Sequence, residues 1–377
     1  MTFDHLAAAE VVARVARHNA IAVDRDGSFP KASIESAREA GLLALLSSSE
    51  LGGAGLGTRA AAEVIERLAR ECASTAMVMT MHYAGTAVIE AHGPASIRGA
   101  IARGEHLSTL AFSETGSRSH FWAPLGTATP DESGSEPGVQ LDARKSWITS
   151  ARHADAYVWS SRPSAGEELC SLWLVPRAAA GLSVTPGFDG VGLRGNDSCP
   201  VEAKAVRVPL DHRLGDDGAG FGIMMGTVLP LFSVLISAGS IGFMEAAVAK
   251  TCEHAGGLRY EHTGAKLADL PTIRAYVARM RIETDKARAL WLDTIDALER
   301  GREDAMLRVL ECKAASGDAA TEVLDTAMRV CGGLAFRKDV GVERRFRDAR
   351  AALVMAPTSD QLYDFIGRAV CGMELFD

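Results

Sequence analysis

The stretch LAFSETGSRSH, residues 110–120, lies where the pattern of the sequence changes. Before it, from residue 4 to about 110, apolar residues recur at helical spacing in segments rich in Ala, Leu, Glu and Arg. After it, up to about residue 215, short β-prone runs alternate with polar turns that contain Gly and Pro. The stretch therefore separates a helical region from a region of short strands.

Helical spacing returns in the last part of the chain, from about residue 216 to residue 377. Residues 221–255 are strongly apolar and predict a helix that is buried on most sides. The order helical, β, helical predicts an α+β protein. Its domains are expected to be an N-terminal helical domain, a small antiparallel β-barrel or sandwich and a C-terminal helical bundle, at 1–109, 110–215 and 216–377.

Composition narrows the class of protein. The formal net charge of −8 argues against a nucleic-acid partner, because phosphate binding needs a basic face. We expect no membrane span, since no apolar run reaches about 18 residues, and the N-terminal residues do not form a signal peptide. The seven scattered cysteines predict reduced core thiols rather than a disulfide or metal framework. These patterns predict a soluble cytoplasmic protein without a metal site.

Two segments are candidates for a binding site. The loop that follows residue 111 is dense in Ser, Thr and Gly, which is typical of a surface loop but also of a loop that hydrogen-bonds a planar cofactor. In KSWITSA (145–151), strand alternation places Trp147 and Thr149 on one face. That face fits an aromatic core strand, or an indole that packs on a flavin ring beside a hydroxyl at the ring edge.

Together and in this order, the motifs resemble those of the acyl-CoA dehydrogenase family. Residues 110–120 resemble the family's Thr-Glu-Pro-Gly-Ala-Gly-Ser-Asp loop, and 145–151 resemble its Trp-Ile-Thr-Asn strand. Further similar segments are LGGAGLG (51–57), GLRGNDS (192–198), VPLDHRLGDDGAGF (208–221), VCGGLAF (330–336) and VERRFRDAR (342–350). The resemblance covers nearly all of the chain and implies that the C-terminal domain is a four-helix bundle.

The resemblance also implies a function. It implies a flavoprotein oxidoreductase with FAD between the β domain and the C-terminal helices, acting on acyl-CoA or a carrier-bound acyl thioester. It implies a cytoplasmic homo-oligomer, a dimer or more typically a homotetramer, whose cofactor pocket is completed by a neighbouring subunit. The electron acceptor, or a flavin reductase, stays open. By position, the expected cofactor-binding residues are Phe112, Ser113, Gly116, Ser119, Trp147, Thr149, Arg259, Arg329, Gly332, Gly333 and Thr358.

The sequence departs from the family pattern where the chemistry is done. The family reaction uses a carboxylate to remove a proton beside the thioester carbonyl while a hydride leaves the next carbon. Aligning VMAPTSD (354–360) on the family's Glu-Gly-Thr puts Ala356 in the glutamate slot. The alternative glutamate position of some members falls at about Phe232, which is also apolar. Weak candidates for a replacement base are Asp360, which also fits a helix N-cap, and His82, which also fits a core position.

These departures leave three hypotheses open. The first is α,β-dehydrogenation of an acyl thioester with a relocated or solvent base. The second is a flavin-dependent monooxygenase on the same fold, which needs no carboxylate at that slot. The third is a redox-silent homologue that binds flavin or acyl-CoA. Changes in the motifs for the adenine half of FAD, including Arg118 and Arg329, keep FMN as an alternative cofactor.

Overall fold

The computed structural model describes residues 3–117, 120–133 and 136–375. Its N-terminal part is helical, as the spacing predicts. The helices are α1 (His5–Asp26), α2 (Lys31–Glu39), α3 (Thr58–Ala69), α4 (Ala73–His92) and α5 (Ala95–Ala102). Helix α1 begins after Asp4, whose carboxylate accepts a hydrogen bond from the Ala7 N–H, and it ends at Gly27 in the left-handed conformation. Helix α4 is buried along most of its length and packs on the strands that follow.

Short strands form the middle part. They are β1 (Ser108–Ala111), β2 (Thr127–Asp131), β3 (Gly138–Ile148), β4 (Ala156–Ser161), β5 (Ser171–Pro176), β6 (Leu182–Val184) and β7 (Cys199–Pro209). One sheet has the order β1-β4-β5 and the other has the order β2-β3-β7-β6. The prediction of a small β domain is confirmed, with one difference from an antiparallel arrangement. Strands β1 and β4 pair in parallel, because β2 and β3 lie between them in the chain and provide the long connection that parallel pairing needs.

The C-terminal part is helical again. It contains α6 (Gly220–Ile223), a π-helical turn (Met224–Val228), α7 (Leu229–Gly257), α8 (Pro271–Arg300), α9 (Ala305–Cys331), α10 (Val342–Ala349), α11 (Ala351–Val354) and α12 (Ser359–Val370). Helices α7, α8 and α9 pack on one another, and α10, α11 and α12 pack on α9. Helix α7 also contacts α3 and α4, so it joins the two helical domains.

The stretch Gly220–Gly257 is long and apolar enough to cross a membrane by length and composition alone. The expectation that no segment meets that test is therefore wrong. Within the protein, however, 67% of an apolar 18-residue stretch of this helix is buried. This is the pattern of a core helix, since α7 packs on helices from both helical domains.

The cysteines are unpaired. Five of them are buried, as expected of core thiols, but Cys252 and Cys371 are exposed. The expectation is wrong for these two because both lie near the ends of helices, where the apolar face no longer meets the core.

Candidate active site

A cavity of about 610 Å³ opens where the three parts of the chain meet. The N-terminal helices contribute Met77 and Met81 from α4. The β domain contributes residues that follow β1, the end of β3 and the segment before β7. The C-terminal helices contribute the start of α7 and the segment 347–357. Every segment singled out in the sequence for cofactor or catalytic chemistry is thus represented, apart from those near residues 259 and 329.

The end of strand β3 presents an indole to this cavity. Trp147 is 68% exposed and touches the Phe188 ring edge-on, with centroids 6.5 Å apart. Trp147 and Thr149 both line the cavity, as predicted, but so do Ser146 and Ile148, which alternation would place on the opposite face. The pairing of β3 with β7 shifts between Lys145 and Ile148, and Trp147 has φ of 60°. A non-glycine residue in this conformation is strained and persists where the surrounding structure imposes it.

Polar groups beside the indole lack a full set of protein partners. Thr149 Oγ1 lies 3.2 Å from Ser198 Oγ, and both residues line the cavity. Asn196 lines it too, and its buried Oδ1 has no hydrogen-bond partner among the described residues. A buried acceptor of this kind is costly unless something binds it. The wall formed by Trp147, Thr149 and Asn196 therefore suits a planar ligand with hydrogen-bonding edges.

The segment GLRGNDS (192–198) holds the walls of the cavity together. The Leu193 N–H donates to Asp348 Oδ1 at 2.7 Å, which ties the segment to α10. The Gly195 N–H donates to Ser74 Oγ at 3.1 Å, which ties it to α4. A Cβ on Gly195 would lie 2.6 Å from the carbonyl oxygen of Ser28, so only glycine fits there. The motif thus has a structural role, since it fixes the junction of the three parts of the chain.

A buried ion pair supports the loop after β1. Lys145 Nζ donates to Glu114 Oε1 at 2.6 Å and to the carbonyl oxygen of Ser160 at 2.7 Å. Both charged side chains are almost fully buried, and burial lowers the pKa of Lys145 to about 8. Glu114 also accepts hydrogen bonds from the N–H groups of Leu125 and Gly126. Although Glu114 lines the cavity, its carboxylate is committed to this structure rather than free to take a proton.

Both positions predicted to hold the family's base face the same space. Ala356 and Phe232 line the cavity, although one lies in the loop before α12 and the other in α7. Among the described residues that line it, Glu114 is the one carboxylate. The described part of the cavity therefore presents no uncommitted carboxylate to a ligand.

The two replacement candidates lie outside the cavity lining. Asp360 is exposed in the first turn of α12. The N-cap of that helix is Thr358, whose hydroxyl accepts from the Gln361 N–H, so the N-cap interpretation of Asp360 is wrong by two positions. Its exposure points it toward solvent rather than toward the site.

His82 is a core residue. It is fully buried, and burial lowers its pKa to about 4. The Ser108 N–H donates to Nδ1 at 3.1 Å, so Nε2 carries the proton and donates to the carbonyl oxygen of Leu43 at 2.8 Å. With both ring nitrogens occupied, His82 joins α4 to its neighbours, and the hypothesis that it acts as a base is corrected.

The predicted cofactor residues fall into separate groups. Phe112, Ser113, Trp147 and Thr149 line the cavity. The remaining described ones do not line it: Gly116, Arg259, Arg329, Gly332, Gly333 and Thr358. Ser119 lies outside the described residues, as does Arg118. The sequence expectation for the first group is thus consistent with their position around one space.

The other predicted residues have different surroundings. Gly116 lies in an exposed turn with φ of 99°, and Thr358 caps α12 directly after the cavity residue Pro357. Arg259, Arg329 and the Gly332–Gly333 pair are exposed at the end of the bundle where α7 and α9 finish. Arg329 there stacks on the Tyr276 ring, 5.0 Å from its centroid. The expectation that they serve a neighbouring subunit stays a prediction.

Sequence reasoning missed Lys313 of α9. Its side chain is fully buried, and Nζ donates to the carbonyl oxygens of Ala352, Met355 and Pro357 at 3.3, 3.0 and 2.6 Å. No carboxylate of a described residue pairs with it, and burial lowers its pKa to about 7. The amine therefore fixes the backbone on both sides of Ala356. A lysine among the small and apolar residues of an amphipathic helix was the signal in the sequence.

The lowered pKa of Lys313 predicts how stability depends on pH. Between pH of about 7 and the ordinary lysine pKa of 10.5, the unfolded chain holds a proton that the folded protein does not. The stability of the wild type should therefore rise with pH across this window relative to Lys313→Met, which cannot titrate. Thermal unfolding of both proteins at about pH 7 and about pH 9 measures this. An equal difference in midpoint at both values would contradict a buried, titrating amine.

Comparison with known sequences identifies the family. Descriptions of the N-terminal, middle and C-terminal domains of acyl-CoA dehydrogenases match residues 5–101, 109–206 and 218–371. The mitochondrial short-chain specific acyl-CoA dehydrogenase of Bos taurus is 30% identical over 348 residues, which cover 90% of this chain and 82% of that protein. The cyclohex-1-ene-1-carbonyl-CoA dehydrogenase of Syntrophus aciditrophicus is 28% identical over 363 residues, covering 94% and 85%.

Solved structures share the fold. Butyryl-CoA dehydrogenase from Megasphaera elsdenii superposes with a TM-score of 0.89 at 19% identity, covering 98% of this chain and all of that one. A complex of PigA with FAD and proline gives 0.86 at 20% identity, covering 98% and 99%. The relatives named by sequence are acyl-CoA dehydrogenases, which are oxidoreductases that act on CH–CH groups. The chain belongs to the acyl-CoA dehydrogenase family, which confirms the resemblance found in its motifs.

Proposed function

We propose that the protein is a flavin-dependent oxidoreductase that binds an acyl thioester in the 610 Å³ cavity and oxidises its acyl chain between the α and β carbons. The observation that carries this proposal is the cavity itself. It brings an exposed indole, unpartnered polar groups and apolar helix residues to one space at the junction of three domains. PigA, which shares the fold, forms a complex with FAD, and relatives with related sequences are named as dehydrogenases of acyl-CoA.

The residues present fit a flavin. Trp147 offers an indole face, while Thr149, Ser113 and Asn196 offer groups that can hydrogen-bond to the ring edge. The orphaned Oδ1 of Asn196 would gain a partner from a ring N–H. When bound, a flavin supplies a two-electron acceptor. We propose FAD, as in the PigA complex of the same fold, with FMN as the alternative.

An acyl chain fits the apolar part of the lining. Met77, Met81, Leu110, Leu229 and Phe232 line the cavity, and each buried methylene of a chain would contribute about 0.8 kcal/mol. Met81 and other methionines can adjust to chains of different shape because their side chains are flexible.

The proposed reaction needs a group that removes the α-proton. With alanine at position 356 and phenylalanine at position 232, we propose that water admitted beside Ala356 takes the α-proton. A positioned base contributes about 10²- to 10⁴-fold in rate, so turnover should be slow unless the substrate proton is unusually acidic. Lys313 keeps the backbone around Ala356 in place, but its amine donates to carbonyls and acts on structure rather than on the proton.

The alanine at position 356 also favours a second candidate function, which is oxygenation by a protein of this fold. A reaction between reduced flavin and oxygen needs no carboxylate at position 356. Incubation of the flavin-loaded protein with acyl-CoA and an artificial electron acceptor separates the two, because dehydrogenation removes two hydrogens from the acyl chain. A product that instead contains an added oxygen atom, and that forms only with reduced flavin and oxygen, would show that the reaction is oxygenation and not dehydrogenation. Absence of both would indicate a redox-silent homologue.

The indole wall makes a separate prediction. Trp147→Ala should weaken flavin binding about 3- to 10-fold, because ring stacking contributes about 0.5–1.5 kcal/mol beyond buried area. Trp147→Phe should keep much of the affinity. Titration of the apoprotein with FAD, followed by flavin fluorescence, measures both. Equal affinities for the wild type and Trp147→Ala would show that the indole does not contact the cofactor.

Assembly and location remain predictions from the resemblance. We propose a cytoplasmic homotetramer in which Arg259, Arg329 and the Gly332–Gly333 pair approach the cofactor of a neighbouring subunit. Their exposure at one end of the bundle supports this arrangement. Light scattering of the purified protein tests the tetramer directly.

A further inference from the structure

The segment 342–350 carries arginines that differ in what they bind. Arg344 and Arg345 donate to backbone carbonyl oxygens of residues 71 and 70. Arg347 pairs with Asp24 at 2.6 Å and with Glu343 at 2.6 Å. Arg350 has neither an ion pair nor a side-chain hydrogen bond with any described residue. Its guanidinium lies over the Phe346 ring, 4.2 Å from the centroid.

Arg350 is also the uncompensated charge of the cavity. The charged residues of the described lining are Glu114, Arg347 and Arg350. Glu114 is neutralised by Lys145, and Arg347 is neutralised by its two acidic partners. Since Ala356 and Phe232 are apolar, no protein carboxylate at those positions competes for Arg350. The described lining therefore presents one free positive charge to a ligand.

The surroundings of Arg350 favour a carboxylate. A guanidinium that stacks on a ring keeps its edge N–H groups free, and these bind a planar carboxylate through two parallel hydrogen bonds. Ala351 and Val354, which follow Arg350 in the chain and also line the cavity, are apolar. A phosphate or pyrophosphate would require several donors, whereas a single guanidinium among apolar side chains matches one carboxylate on an aliphatic chain.

We propose that Arg350 is a subsite for a carboxylate carried by the acyl chain, so that the preferred substrates are monothioesters of dicarboxylic acids. This rests on the proposed function, because it assumes an acyl thioester in the cavity. It goes beyond that function by naming the substrate class and the residue that selects it. Arg350 lies shortly before Ala356 in the sequence, and both residues line the cavity. An acyl chain that passes Ala356 therefore shares this space with the guanidinium.

The test compares adipyl-CoA with hexanoyl-CoA, whose acyl chains have the same length and differ in the terminal carboxylate. Isothermal titration calorimetry on the flavin-loaded protein measures binding even when turnover is slow. The wild type should bind adipyl-CoA roughly ten- to a hundredfold more tightly, as expected of a hydrogen-bonded charge pair. Arg350→Gln should lose this preference, so that it binds the two thioesters about equally, and Arg350→Lys should keep part of the preference. Arg300→Gln, at an exposed site outside the lining, makes the same charge change and should behave as the wild type.

Each other outcome overturns the proposal in a recognisable way. Tight binding of hexanoyl-CoA without a preference for adipyl-CoA would remove the carboxylate subsite and leave the proposed function intact. Loss of flavin from Arg350→Gln during purification, with the preference unchanged, would assign Arg350 to a cofactor phosphate instead. Binding of neither thioester by the wild type would remove the proposed function and this substrate class with it.

Discussion

The double variant Ala356→Glu/Pro357→Gly should gain acyl-CoA dehydrogenase activity of about 10²- to 10⁴-fold over the wild type. A carboxylate at position 356 would face the cavity, as Ala356 does, and would supply the positioned base that the described lining lacks. Glycine at position 357 removes the ring that restricts the backbone next to the new side chain. The backbone carbonyl of residue 357, which accepts a hydrogen bond from Lys313 in the wild type, is kept in the variant, so the loop keeps its support. Anaerobic turnover with a panel of acyl-CoAs and an artificial electron acceptor measures the gain.

The matched control is Ala356→Gln/Pro357→Gly, which has the same shape without a basic oxygen. It should stay at the wild-type rate. A glutamate variant that folds, retains flavin and shows no gain with any acyl-CoA would contradict the placement of Ala356 in the glutamate slot. Equal gains for glutamate and glutamine would show that the change in shape, rather than the base, is responsible.

Among the single substitutions proposed, Glu114→Gln should lower the free energy of unfolding the most. Glu114→Gln leaves the ammonium of Lys145 buried without a counter-charge, and breaking a buried ion pair in this way costs about 3–5 kcal/mol. Because burial already lowers the pKa of Lys145 to about 8, the loss should be smaller above that pH, where the amine can release its proton. Urea unfolding at fixed protein concentration, on either side of that pH, measures the effect.

The double variant Glu114→Gln/Lys145→Met is the control. It removes the uncompensated charge and should recover part of the stability that the single variant loses. A Glu114→Gln protein as stable as the wild type would show that the pair does not hold the loop to strand β3. It would also reopen Glu114 as a proton acceptor at the cavity.

The order of domains could be predicted because the period of the apolar residues changes twice along the chain, near residues 110 and 216. The cavity residues Phe112, Ser113, Trp147 and Thr149 could be predicted because they lie within motifs of the family. The parallel pairing of β1 with β4 could not, because pairing partners depend on contacts between distant segments. The bulge at Trp147 was missed for the same reason, as alternation carries no information about register.

Other errors come from side chains whose role depends on burial. His82 and Lys313 have the chemistry of catalytic groups, yet the structure uses both to bind backbone groups in the core. The segment 192–198 was singled out in the sequence but Asn196 within it was not, although its unpartnered oxygen is one of the features that make the cavity a binding site. Arg350 could be separated from the neighbouring arginines only after their partners were known.

The central claim is that the cavity binds a flavin and an acyl thioester together. The most direct test is an anaerobic titration of the purified flavin-loaded protein with acyl-CoAs of different chain types, including adipyl-CoA, while the visible absorbance of the oxidised flavin is followed. We expect one chain type to bleach this absorbance slowly, since the site has the parts for oxidation but no positioned carboxylate base. A spectrum that no acyl-CoA bleaches or perturbs, in protein that retains its flavin, would contradict the claim.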